Sequence, residues 1–220
     1  LKTRIVLATL AIFLVGLWSL SFFASQLLRK DMETLLSEQQ LSTVATVAAH
    51  ANDELENRLR ALEMAADAAS FTLQQNPAAL QVFLEQRPVL QSLFNGGVVV
   101  YDLNGRVIAD VPILAGRRGQ GYMNIDVVAS ALRNGVSGIA RPVFGKTLKS
   151  PLIGMAAPIR NAQGTIIGAM GGAVDLGAPN FLSRITEACY GKTGGYLLVA
   201  PEDRLIVTAT DASRVMEKLP

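Results

Sequence analysis

Glycine and proline are absent from Leu27 to Gln75 but recur at short intervals after Asn95, although the chain holds 19 glycines and 9 prolines. Neither residue is at home inside a helix. The earlier stretch is therefore free to run as one helix, while the later one is cut into short elements joined by turns. Apolar spacing agrees. Leu41, Ala48, Leu55, Leu62 and Ala69 recur at heptad intervals, with Val44, Ala51 and Ala65 at the second seam position and Arg58 interrupting it. Such a stripe keeps one apolar face toward a neighbour. Alanine dominates the seam, so the stripe serves weak pairing with a second copy, packing on the helix's own domain, or both. Asn76-Pro77 then reads as the cap and first residue of a new helix, expected to end near Phe94.

Upstream, Ile5 to Ala24 carries no charge. A helical run of about 20 apolar residues covers a hydrocarbon core of about 30 Å. Lys2 and Arg4 precede the run, and Arg29 and Lys30 follow it. Trp18, Phe22 and Phe23 lie toward its far end, where aromatic rings favour a membrane interface. A cleaved signal peptide has a shorter apolar region, of about 7–15 residues. The expectation is therefore a retained transmembrane anchor, residues 1–26, followed by a stalk helix, residues 27–75, on the outer side of the membrane. The chain opens on Leu1 and stops at Pro220 in mid-pattern, so further sequence is expected at both ends.

Composition narrows the function. Half the residues are hydrophobic and 17% are charged, which is enough apolar surface to build a core. Net charge is +2, with no basic cluster interleaved with aromatics, so nucleic acid is not an expected partner. One cysteine, Cys189, and one histidine, His50, make neither an internal disulfide nor a metal site. Cys189 is read as a small buried hydrophobe and His50 as helix surface. No cofactor is expected.

Beyond Asn95-Gly96-Gly97 the period changes to that of strands. Val98 to Asp102 and Arg106 to Val111 form a hairpin about Leu103-Asn104-Gly105. A loop rich in glycine and arginine follows, then a helix from Ile125 to Arg133 that Asn134-Gly135 ends. Ile139 to Phe144, Leu152 to Arg160 and Thr165 to Leu176 read as three further strands, the last two joined by a turn at Asn161-Ala162-Gln163-Gly164. These runs predict one antiparallel five-stranded sheet with the helix on one face, hence an α+β class.

That element order is the one found in PAS-like extracytoplasmic sensor modules. Within it, SPLIGMAAPIRNAQGTIIGAMGGAVDLG, Ser150 to Gly177, resembles the strand pair of the double Cache family. The long helix before the first strand is similar to that family too. So is the helix Pro179 to Ala188, which leads into GKTGGYLLVAPEDRLIVTAT, Gly191 to Thr210. The resemblance covers about Leu27 to Pro220. It implies a membrane-distal Cache module, residues 76–188, and the start of a second, membrane-proximal module, residues 189–220. It also implies the periplasmic sensor region of a bacterial inner-membrane receptor, a homodimer that binds a small molecule and is not itself an enzyme. The implied output domain beyond Pro220 is first a diguanylate cyclase, then a histidine kinase or chemotaxis domain. The alternative is a membrane-tethered periplasmic binding or scaffold protein without cytoplasmic output.

Other motifs carry less. Gly191-Lys192-Thr193 lacks the glycine five residues earlier that a phosphate loop needs, and it sits between helix and strand in inverted order. Gly135-Val136-Ser137-Gly138 misses the G-x-S-x-G elbow at Ile139. No two carboxylates among Asp102, Asp110, Asp126 and Asp175 are linked as acid and base.

The loop Gly116 to Asn124 is the candidate binding element. Arg117 and Arg118 offer planar forks for carboxylates or phosphates, and Tyr122 can stack and donate. Arg118, Tyr122, Asp126, Arg141 and Asp175 are the candidate ligand-binding residues, with Lys149 adding positive charge nearby. An anionic ligand follows from the arginines. Amino-acid-binding members of the resembled family carry an Arg-x-Trp-Tyr run and a strand aspartate. Alignment places Ile125, Val127 and Val128 at that run and Ala173 at the aspartate, with Asp175 two residues later. That amino-acid pattern is therefore absent.

Overall fold

In a computed structural model of the chain, residues 2–145, 147–186, 194–201 and 203–220 are described. The first helix, α1, spans Lys2–Gln75, as the lack of glycine and proline after Leu27 allows. The chain divides into two compact units, Leu1–Ala49 and His50–Pro220. The first is helix alone, with Phe13, Leu14, Trp18, Phe22 and Phe23 exposed. Among the described residues no helix is long and apolar enough to cross a membrane. Eight positions within the expected anchor, Ile5 to Thr9 with Ala11, Ile12 and Val15, have side chains outside the described residues.

In the second unit the rest of α1 packs on a sheet. A short 3₁₀ turn (Pro77–Ala79), α2 (Leu80–Glu85) and α3 (Pro88–Leu93) follow it. The single helical run expected here is broken because Pro88 has no N–H to donate back and instead opens a new helix. The strands are β1 (Gly97–Tyr101), β2 (Val107–Val111), β3 (Gly138–Ile139), β4 (Val143–Phe144), β5 (Pro151–Arg160) and β6 (Ile166–Asp175). Their order is β2-β1-β6-β5-β3, with β4 also on β5, and every pairing is antiparallel.

The antiparallel sheet is thus as expected, but it has six strands rather than five. The expected strand from Ile139 to Phe144 is two short pieces, both paired with β5. Pro142 lies between them, and a proline cannot supply a ladder N–H. The helix expected over Ile125 to Arg133 is α4 (Asp126–Asn134), ended by Gly135 in the left-handed conformation. Beyond the sheet come α5 (Phe181–Thr186) and a hairpin of β7 (Leu197–Ala200) and β8 (Leu205–Ala209). Cys189, Gly191-Lys192-Thr193 and the end of the helix expected to reach Ala188 lie outside the described residues.

Two cores result, one on each face of the sheet. On one face Leu62, Ala66 and Ala69 of α1, Leu80 and Leu84 of α2, and Phe94 are buried against Val98, Val100, Met155, Met170 and Val174. On the other face Val128, Ala131 and Leu132 of α4 meet Val99, Tyr101, Val107, Ala156 and Ala169. The heptad seam is corrected accordingly. Ala51, Leu62, Ala65 and Ala69 are buried in the domain's own core and Leu55 packs against it, while Leu41 and Val44 stay exposed. Arg58, the seam's interruption, is 8% exposed. It donates to the Leu93 carbonyl at 3.2 Å, pairs with Glu54, and lies 3.6 Å over the Phe181 ring. A buried guanidinium needs such partners, and here they tie α1 to the end of α3 and to α5.

Candidate functional site

The face of the sheet under α4 is not fully filled. A cavity of about 530 Å³ opens between β1, β5 and β6 below and α4, the Gly116–Asn124 loop and the β3–β4 segment above. The loop is held in place by backbone. It runs back along β2, the edge strand: Gly119 N–H donates to the Val107 carbonyl at 2.8 Å, and Tyr122 N–H donates to Gly105 at 2.9 Å. Small residues on the strands below leave the space open. A Cβ added at Gly154 would meet nothing closer than Ala140 Cβ at 3.8 Å.

Most of the lining is apolar, including Val99, Ile139, Val143, Phe144 and Leu152. Among the described residues its charged members are Arg117, Asp126 and Arg141. Arg117 is only 4% exposed. Its Nη2 donates to the Gly96 carbonyl at 3.3 Å, and its Nη1 is buried with no hydrogen-bond partner. Gly97 makes room for it. The backbone there has φ of +100°, and a Cβ would come within 3.0 Å of Arg117 Nη1 and 2.8 Å of the Val111 carbonyl oxygen. Glycine alone satisfies both conditions.

Two tyrosines form one wall, with ring centroids 5.6 Å apart and planes at 54°. Burial pushes the Tyr101 phenol above its usual pKa, Tyr122 adds to the rise, and the Arg117 cation opposes it. The Tyr122 hydroxyl lies 3.2 Å from Gln120 Oε1 and 3.3 Å from the Thr147 hydroxyl, which itself donates to Gln120 Oε1 at 3.0 Å. These bonds join the two loops over the cavity.

The structure therefore brings Tyr122, Asp126 and Arg141 of the expected residues to one cavity, and leaves Arg118 and Asp175 out of its lining. Arg118 is turned away by a carboxylate. Asp110 on β2 is fully buried, and an unpaired buried charge is costly. Arg118 Nε donates to Asp110 Oδ1 at 3.0 Å and its Nη2 to Gln81 Oε1, which bonds the loop to α2 instead. Asp175 closes the end of β6. Its Oδ1 accepts from the Ser150 hydroxyl and from Gly177 N–H at 2.9 Å. Arg141, exposed at the cavity mouth, pairs with Asp203 between β7 and β8 at 3.2 Å. Asp126 is also exposed, and Lys149 is not in the lining. Arg117, named with Arg118 in the candidate loop but not among the candidate ligand-binding residues, is the arginine that lines the cavity. The signal was Asp110: an acid inside the apolar run Val107-Ile108-Ala109-Asp110-Val111 demands a cation, and it takes one of the two arginines.

The sequence matches no protein-family model and no curated protein. Solved structures do match the fold. The ligand-binding domain of Pseudomonas fluorescens chemoreceptor CtaA in complex with L-alanine is 24% identical, with a TM-score of 0.63 over 79% of this chain and 72% of that one. The ligand-binding domain of the Pseudomonas aeruginosa amino acid chemoreceptor PctC in complex with GABA is 22% identical, with a TM-score of 0.64 over 80% and 76%. The sensor domain of the V. cholerae histidine kinase DctB is 16% identical, with a TM-score of 0.65 over 85% and 71%. The α+β fold with an antiparallel sheet is thus that of receptor ligand-binding and sensor domains. It is also the fold implied by the double Cache resemblance.

Proposed function

We propose that this chain is the extracytoplasmic, ligand-sensing region of a bacterial transmembrane receptor. The observation that carries the reading is the cavity of about 530 Å³ between the sheet and α4, mostly apolar but with the buried Arg117 in its lining. Ligand sites are concave, mostly apolar and fixed by a few polar groups. The neighbours were solved with L-alanine and GABA bound, which supports a small molecule of similar size. Anchoring by Ile5 to Ala24, a periplasmic domain and pairing of two copies through Leu41 and Val44 complete the proposal. Residues 189–220 begin a second module in this reading. Neighbours from chemoreceptors and a histidine kinase support those outputs alongside the diguanylate cyclase implied by the resemblance over Gly191 to Pro220.

Binding is tested by thermal shift of the full chain against small carboxylates, amines and amino acids, repeated on Gly154→Leu. Gly154 lines the cavity, and a Cβ there would make only an ordinary contact with Ala140 Cβ at 3.8 Å, so a leucine is chosen to occupy the cavity. A ligand of this site stabilises the parent and loses at least tenfold in affinity for the variant. A ligand held equally by both binds elsewhere and removes the cavity from the proposal.

A further inference from the structure

We infer that Arg117 is the anchor for the carboxylate of a ligand that carries no compensating ammonium, so that the site prefers simple apolar carboxylates to zwitterionic α-amino acids. The inference rests on the ligand-binding reading above and specifies the chemical class. Its first support is the orphan donor. Nearly all buried polar groups in folded proteins are hydrogen-bonded, yet Arg117 Nη1 is buried, has no partner, and belongs to a residue that lines the cavity. The opposite wall does not neutralise it. Of the other charged residues in the described lining, Arg141 has the same sign and is paired with Asp203, and Asp126 is exposed at the start of α4.

Arg118 makes the contrast internal to the molecule. It is the adjacent residue on the same loop, and it is satisfied by a buried carboxylate, Asp110, within the protein. Arg117 is more deeply buried and lacks a carboxylate partner. Its second terminal nitrogen is already oriented by the Gly96 carbonyl, and Gly97 adds no Cβ, which would come within 3.0 Å of Nη1. A carboxylate entering the cavity supplies the missing acceptor through a charge-assisted bond, strengthened by exclusion of water. The ligand body then meets Val99, Ile139, Val143 and Phe144.

An α-amino acid brings the same carboxylate together with an ammonium. In the cavity that ammonium loses its water, meets the buried Arg117 cation, and finds only the exposed Asp126 and an Asp203 already paired with Arg141, which recover little. The expected order is therefore carboxylate first, then zwitterion and neutral amide.

The test uses the full chain and matched probes that differ at one group. 3-Phenylpropanoate is compared with L-phenylalanine and 3-phenylpropanamide, and 4-methylpentanoate with L-leucine and 4-methylpentanamide. Affinities are measured by calorimetry on the parent, Arg117→Met and Gly154→Leu. The carboxylates should bind the parent at least tenfold more tightly than their amino-acid and amide counterparts. Arg117→Met should lose at least that factor for the carboxylates. Its ligand-free unfolding midpoint should not fall, because the variant relieves a buried cation with an unfilled donor. Zwitterions that bind as tightly as carboxylates, and lose binding in Gly154→Leu, overturn the carboxylate preference and leave the cavity reading standing. Carboxylate binding that survives Arg117→Met, or a ligand-free midpoint that drops in that variant, overturns Arg117 as the anchor. If none of the probes binds, the inference falls. If binding is unaffected by Gly154→Leu, the cavity reading falls with it.

Discussion

At Tyr101 burial and charge pull in opposite directions, and burial wins: the phenol sits above its ordinary pKa despite the nearby Arg117 cation. The unfolded chain ionises this group near pH 10, while the folded chain still holds the proton. Stability from the neutral phenol is thus complete below about pH 10 and is lost as pH rises above that value. Thermal midpoints measured upward from pH 8 should fall in the parent at the alkaline end, and Tyr101→Phe should fall less. Equal slopes would place the phenol in water. Single residues were the least legible level of the sequence. Tyr122, Asp126 and Arg141 were expected at one site, and the structure gathers them around one cavity. Arg117 and Arg118 look interchangeable in the sequence, and only the position of Asp110 tells them apart. Asp175 entered as the acid two residues beyond the place of the resembled family's strand aspartate, whereas its bonds to Ser150 and Gly177 make it a turn closer.

At the level of elements the heptad stripe of α1 has two destinations. Leu62 is fully buried under the sheet, and Leu41 is 69% exposed. Leu62→Ala should cost about 2–5 kcal/mol by urea denaturation, the range for a deleted core leucine. Leu41→Asp should leave that stability within about 0.5 kcal/mol, as for an exposed site. If two copies pair along this face, the same change moves the sedimentation profile toward monomer. An unchanged profile at concentrations where the parent is dimeric would put the pairing surface elsewhere. Periodicity revealed the stripe but not its partner, because a heptad seam and a domain-facing helix bury the same residue types. Strand runs and turns read well from β-branched runs and Asn-Gly pairs. The break at Pro142 was readable in principle, since proline removes a ladder donor.

For the whole molecule the sequence conveyed the order of elements and the helix over one face of the sheet, since both follow from patterns that act over many residues. It did not convey the cavity, which depends on side-chain volumes meeting across β1, β5 and β6. A topology test belongs at this scale. Alkaline phosphatase fused after Gly177 should be active, as that enzyme is only outside the cytoplasm, and an inactive fusion would remove the membrane-anchored orientation. One local feature bears on how such a receptor would signal. Gly171 and Gly172 sit side by side on β6, one beneath the Tyr101 ring and the other beneath the Phe94 ring. A Cβ would come within 2.6 Å of the first and 2.5 Å of the second. Tyr101 lines the cavity, and Phe94 is packed in the core that grips α1. The wall between the two compartments is here one peptide backbone thick, like a drumhead with a finger resting on each side. In the receptor reading, a ligand pressing on Tyr101 would act on Phe94 across that backbone alone.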